Sequence, residues 1–469
     1  MHSHDEQRDE QPTPGPGPGP TGAVTLGAFK ESVQSGEITA VRLAVPDMQG
    51  RPKGKILTAP VFVDRMNSEA GMCAYVLATD VDMTPLDGFA LTGWEQGFGD
   101  LGVKADPRSI RLLPHQPGTA LIMGDVFHHD GRPVEVAPRH MLRTQLERLA
   151  DLGYQVALGT EVEFMLYQDT GQEAHRSAYR GLRPAWSGDL DYALSHPPEV
   201  ADFLQHLHDA LREAGVPVEA IKTESAAGQV EVTFAYGEVM SACDAYTAFR
   251  LIVPDLAQRR GMTPTFMAAP ATGVGSGLHL HLSLWSANGN AFTYHRSADL
   301  PPVLERAIAG LVSGLPHLAP LYAPTPNAYK RYAPHTFAPT SYTWGFDNRT
   351  CAVRVTGVGE SAHLEVRLPG ADANLYLAVT AACAAIIHGI QDRPELPAPC
   401  GGDSYTASDA APVPADLTEA MNSFMGNKVV YDALGETVMN HYARAAQAEL
   451  AWHRRQVTDV ERERGFHRA

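Results

Sequence analysis

The stretch Gly159-Thr-Glu161-Val-Glu163-Phe-Met-Leu-Tyr167 decides how this chain is read. Its alternation fits a β-strand, in which successive side chains point to opposite faces. Glu161 and Glu163 then share one face, and Val162 and Phe164 the other. Two carboxylates side by side on a buried face repel unless a cation lies between them. Taken alone, a solvent-facing acid pair is the commoner explanation, so the strand gains meaning from its company.

Three further clusters supply that company. Val218-Glu219-Ala-Ile-Lys-Thr-Glu224 leads through the turn Ser-Ala-Ala-Gly-Gln to Glu231, and the turn can fold Glu224 and Glu231 toward one point. A glycine-rich loop, Gly273-Val-Gly275-Ser-Gly, runs into Leu278-His279-Leu-His281-Leu-Ser283, a strand with His279, His281 and Ser283 on one face. Histidine at this spacing is a common metal or phosphate contact, and also a common structural residue. Asn327-Ala-Tyr-Lys-Arg331, then Arg349 and Arg354, then His363-Leu-Glu365-Val-Arg367 bring arginines suited to carboxylate and phosphate. Each of these, singly, also reads as a surface loop or ion pair.

The composition narrows the partners. The 469 residues carry a formal net charge of −17. Such a surface repels phosphate backbones and anionic lipid, so neither nucleic acid nor membrane is expected. The cysteines Cys73, Cys243, Cys351, Cys383 and Cys400 are scattered, with no CxxC pair, and read as reduced thiols of a cytoplasmic protein. No secretory signal opens the chain. The alanine-rich run from Leu375 to Ile390 is too short to span a bilayer and is expected as a buried helix.

Along the chain, residues 1–22 are polar and Pro/Gly-rich and are expected to be a disordered tail. Residues 23–118 read as a small domain, with a hairpin between Thr39 and Leu57. Residues 119–469 read as a larger one, entered by a helix from Pro138 that stops at Gly153.

Together the clusters resemble the glutamine synthetase family. The matches are the GxExEF strand, the ExxxGQxE turn, the GSGxHxHxSL strand, the YKR loop, the arginine run and the ExR strand. The resemblance implies an α+β fold: a small N-terminal β-grasp domain and a large catalytic domain whose antiparallel sheet forms a funnel flanked by helices. It implies two divalent cations, Mg²⁺ or Mn²⁺, one held by Glu163, Glu224 and Glu231, the other by Glu161, His279 and Glu365. It implies nucleotide contacts from Glu219, His281, Ser283, Arg349 and Arg354. Glutamate would meet Gly275, Arg331 and Arg367, and Arg367 would also stabilise the phosphoryl group in transfer. Asp87 matches the family's acid for deprotonating the amine, contributed from a neighbouring subunit. The family's assembly, a dodecamer of two hexameric rings, is expected.

The departures concern the amine. Phe337 stands where the family's flap glutamate is expected, and Phe89 and Ala90 follow Asp87-Gly88 in place of serines. Both changes add apolar surface, which ammonium cannot use and a carbon-chain amine can. The expected reaction is therefore ATP-dependent ligation of glutamate to a polyamine, monoamine or ethanolamine through γ-glutamyl phosphate, with Asp87, Phe89 and Phe337 at the amine pocket. A glutamine synthetase using ammonium and a non-catalytic relative are the alternatives. Val274 replaces the usual asparagine of the glycine loop, and His363 a frequent arginine. No adenylylation-type tyrosine loop is found at Gly401–Ala407.

Overall fold

Two β-sheets organise the chain. The structure, a computed structural model, describes residues 23–295, 299–407 and 409–468, so the tail expected at 1–22 lies outside the described residues.

The first sheet contains β1 (Ala40–Pro46), β2 (Pro52–Thr58), β3 (Ala70–Cys73), β4 (Asp100–Ala105), β5 (Arg111–Leu112) and β6 (Thr119–Phe127). The order is β2-β1-β6-β4-β3, with β5 beside β6. β1 and β2 form the expected hairpin, closed by a Gly50 amide donating to the Asp47 carbonyl at 2.9 Å. β1 and β6 run parallel. The strand just past the expected boundary at 118 thus belongs to the first sheet. Its apolar run Ala120–Met123 is buried there, between β1 and β4.

The second sheet contains β7 (Gln155–Tyr167), β8 (Val218–Thr223), β9 (Gln229–Glu238), β10 (Thr263–Thr265), β11 (Leu278–Ser286), β12 (Gly289–Asn290), β13 (Trp344–Phe346), β14 (Val353–Thr356) and β15 (His363–Val366). Its order is β13-β14-β15-β11-β7-β9-β8, antiparallel except for β13 with β14. Helices pack against this sheet, and the architecture is α+β.

One face of β7 is apolar: Val156, Leu158, Val162, Phe164 and Leu166 are buried. The helix Val239–Arg259 covers that face, with Phe249 at 6.2 Å from Phe164 and 5.2 Å from Phe234 between ring centroids. The helix Leu375–Asp392 lies inside, as its composition demands, beside Pro302–Gly314. The two approach so closely that a Cβ on Gly310 would sit 2.7 Å from the Gly389 Cα. The polar face of β7 is left free for a site.

Arg139, on the helix Pro138–Asp151, ties the two sheets together. Its guanidinium lies 2.7 Å from Asp106 after β4 and 3.0 Å from Asp125 on β6, and it also bonds Asp244 on the helix under the second sheet. Asn374 adds a second tie, donating to the Asp47 carbonyl at 3.0 Å.

Candidate active site

Strand register gathers the acids. β7 pairs with β11 so that Glu161 faces His279, and with β9 so that Glu163 faces Glu231. β15 sets Glu365 opposite His281, and β14 sets Arg354 opposite Glu365. The turn between β8 and β9 returns Glu224 toward the same face. Gly228 adopts φ +83° there, and a Cβ on it would meet the Leu166 carbonyl at 2.6 Å.

Two groups result. Glu163, Glu224 and Glu231 offer oxygens all within 4.8 Å of one another, and Glu161, His281 and Glu365 do the same with their ligand atoms. His279 joins the second group, its Nδ1 lying 3.2 Å from Glu161 and 3.5 Å from Glu365. Both imidazoles therefore reach the ligand position expected of His279 alone. Oxygen-rich groups with one or two imidazoles fit hard divalent cations and admit Mn²⁺. Glu163 is fixed in place: its carboxylate accepts from the Gly277 amide and from Gln229 Nε2, each at 2.9 Å.

The electrostatics of the groups differ. Burial pushes the Glu231 carboxyl up, and the charges of Glu161 and Glu224 add to this, to about 9. Burial also pushes Glu161 up, but hydrogen bonds from His279 and His281 outweigh it and hold that carboxyl well below the usual range. Glu365 is wholly enclosed, and Arg367 with the two histidines brings it down to about 2 against burial.

Glu231 is thus neutral at pH 7.5 without a cation, and a cation needs the carboxylate. Adding Mn²⁺ to metal-free protein should release about one proton per protomer at pH 7.5, and fewer as pH passes 9. A dye in weak buffer reads this directly. No release at pH 7.5 would contradict the assignment.

The arginines converge on the second group. Arg354 donates to Glu365 at 2.8 Å and also pairs with Asp347. Arg367 bonds Glu365, and its other nitrogen donates to the Phe337 carbonyl at 3.4 Å. Arg331 is buried against His279 and donates to the Leu368 carbonyl at 3.0 Å. It also packs against Gly275, whose carbonyl accepts from Gln229 at 2.8 Å. Glu219 and Arg349 are exposed.

Two of the expected residues are held inside the protein. Ser283 is buried, with Tyr236 Oη at 2.6 Å and Trp285 Nε1 at 2.9 Å, so its hydroxyl is already engaged within the protein. Phe89 is 3% exposed and packs on His441 at 4.6 Å between centroids, and with Glu436 and Arg444 the two rings line a cavity beside the Asp87 loop. Asp87 is exposed on the same loop, its carbonyl accepting from Arg444 at 2.9 Å. Among the described residues no contact joins Asp87 to either acid group. Phe337 is 64% exposed and adopts φ +58°, and the neighbouring His335, at φ +62°, rests on Tyr405. Left-handed backbone at two bulky residues holds this loop in an unusual shape beside Arg367.

Sequence reasoning missed Lys222, Gln229 and Tyr236 as members of the site. Lys222 lies near the end of β8, two residues before Glu224, and that spacing does not reveal its approach to Glu231. Gln229 follows the turn glycine, and nothing in its spacing told that it would brace Glu163.

An antiparallel sheet that gathers two acid groups beneath converging arginines is the framework of a carbon–nitrogen ligase. The chain belongs to the glutamine synthetase family, whose catalytic domain matches residues 135–465. It is 42% identical over 438 residues to the γ-glutamylethanolamide synthetase GlnA4 of Streptomyces coelicolor, covering 93% of this chain and 94% of that one. It is 30% identical over 428 residues to a glutamate–isopropylamine ligase of a Pseudomonas species, covering 90% and 93%. A glutamine synthetase of Thermus thermophilus is 32% identical over 451 residues, covering 91% and 95%. Among solved structures, a GmaS/ADP complex superposes with a TM-score of 0.81 at 27% identity, covering 93% of this chain and 99% of that one.

Proposed function

We propose that this protein joins the γ-carboxylate of glutamate to an organic amine, a polyamine, monoamine or ethanolamine, at the expense of ATP. The observation that carries the reading is the pair of acid groups sharing β7, with Arg354 and Arg367 bound to Glu365 and Phe337 exposed next to Arg367. The relatives named for ethanolamide and isopropylamine chemistry support it.

Glu163, Glu224 and Glu231 would hold one divalent cation beside glutamate, and Glu161, His279, His281 and Glu365 a second beside the ATP phosphates. Such cations, Mg²⁺ or Mn²⁺, neutralise phosphate oxygens. Glu219, Arg349 and Arg354 would contact the nucleotide, and Arg331 with Gly275 would position glutamate. A γ-carboxylate oxygen attacks the γ-phosphorus, and ADP leaves. Arg367 meets the charge that spreads over the transferring phosphoryl oxygens. The amine nitrogen then attacks the acyl carbon, and phosphate leaves with its electron pair. An amine of pKa roughly 10 is only about one part in a thousand neutral at pH 7, so an acid must bind the ammonium and take its proton. Asp87 suits that task in a homo-oligomer, a dodecamer in this reading, where it would serve a neighbouring protomer. The setting is cytoplasmic, in keeping with five free thiols.

A panel of amines tested with glutamate and ATP, read by phosphate release and product mass, tests the proposal. An organic amine should give the highest kcat/KM. Ammonium as the best acceptor would make the protein a glutamine synthetase instead. Phe337→Glu should lower kcat/KM for the best organic amine about tenfold or more while ammonium use rises, because apolar burial is lost. Equal loss for both acceptors would remove Phe337 from the pocket.

A further inference from the structure

Lys222 stands inside the first acid group. β8 pairs with β9 so that Lys222 lies opposite Glu231. Its ammonium bonds Glu224 and lies 3.8 Å from Glu231. The same nitrogen lies 3.4 Å from Asp191 and 4.6 Å from the ring centroid of Tyr192. Two kinds of partner thus compete for one charge. Glu224 and Glu231 belong to the acid group, whereas Asp191 and Tyr192 belong to a separate loop before the helix Pro198–Glu213.

We propose that Lys222 is a tethered counter-cation of the Glu163–Glu224–Glu231 group, which competes with the divalent cation for these carboxylates and turns to Asp191 and Tyr192 when the cation binds. The proposal rests on the metal-site reading above. The Glu163 and Glu224 carboxylates, whose oxygens lie within 4.8 Å of each other and of Glu231, repel one another when no cation is present, and an ammonium beside them offsets that repulsion. A divalent cation on the same oxygens repels an ammonium a few ångströms away. The lysine stem is flexible enough to swing, and a carboxylate with an aromatic face already adjoins its end. Lys222 is a positioning residue in this account. It keeps the cation-free group intact, lowers the group's affinity for metal, and links cation occupancy to the Asp191–Tyr192 loop.

The test is a Mn²⁺ titration of the full-length protein and of Lys222→Met, with free Mn²⁺ followed by electron paramagnetic resonance. One class of sites should tighten about tenfold in the variant, since a competing charge is gone. A merely structural lysine would leave affinity unchanged or weaken it, and either result overturns the proposal. Should the variant not fold, the wild type still decides the matter. Lysine acetylation by an N-hydroxysuccinimide ester, read by peptide mass spectrometry, should label Lys222 several-fold faster with Mn²⁺ than without. An equal or slower rate overturns the proposal. Wild-type protein that binds no Mn²⁺ at all would overturn the metal-site reading and this inference with it.

Discussion

Glu365→Ala abolishes amide synthesis in this account, with a loss of at least about a thousandfold, and lowers folding stability by about 3–5 kcal/mol. Glu365 is fully enclosed and accepts from Arg354 and Arg367 while facing His279. Its removal leaves two guanidinium groups without their shared carboxylate, inside a protein that screens charge poorly. It also takes one ligand from the second acid group, beside the position where phosphoryl charge develops. The two effects separate by measurement. Phosphate release with saturating glutamate, ATP, amine and Mg²⁺ reads the first, and denaturant unfolding of metal-free protein reads the second. Activity within tenfold of the wild type would show that Glu365 is structural only.

The largest effect on stability alone belongs to Arg139→Met. This buried guanidinium is shared by Asp106, Asp125 and Asp244, and Tyr376 donates to Asp244 in the same network. Truncation leaves several carboxylates short of a partner where the sheets meet, at a cost of about 3–5 kcal/mol or more. The pH dependence follows with a definite sign. Burial pushes the Asp106 carboxyl up, but Arg108 and Arg139 outweigh it and hold it below the ordinary value. Its stabilising contribution is therefore present above the ordinary carboxylate range and is lost as pH falls through the lowered value. Thermal melting of the variant should occur well below the wild type at pH 7, and the gap should narrow in acid. A melting temperature unchanged at pH 7 would mean that the network contributes little.

Much of this was legible in the residues. The alternation at Glu161 and Glu163 fixed which face of β7 is polar, and the buried Val162 and Phe164 follow from the same period. The hairpin of β1 and β2 and the buried helix from Leu375 were equally open to reading, since a turn signal and a continuous apolar run are local properties. What depended on packing was not. Phe89 was placed at an amine pocket because it follows Asp87-Gly88 where serines are expected, and its packing on His441, far along the chain, is not a local property. Ser283 shares a strand face with His281, but Tyr236 arrives from β9 to bond it. Strand β6 fell beyond the expected boundary because nothing local says which sheet a strand will join. Lys222 went unnoticed because an ion pair with Glu231 depends on the register of β8 with β9.

The central claim is that a carboxylate oxygen of glutamate attacks phosphorus before any amide forms. Turnover of glutamate carrying ¹⁸O in its γ-carboxylate, with ATP and the best organic amine in unlabelled water, tests this directly. Mass analysis of the released phosphate should find one ¹⁸O atom in each molecule formed from doubly labelled glutamate. Phosphate free of label, formed alongside the amide, would contradict carboxylate activation and the arrangement of residues built upon it.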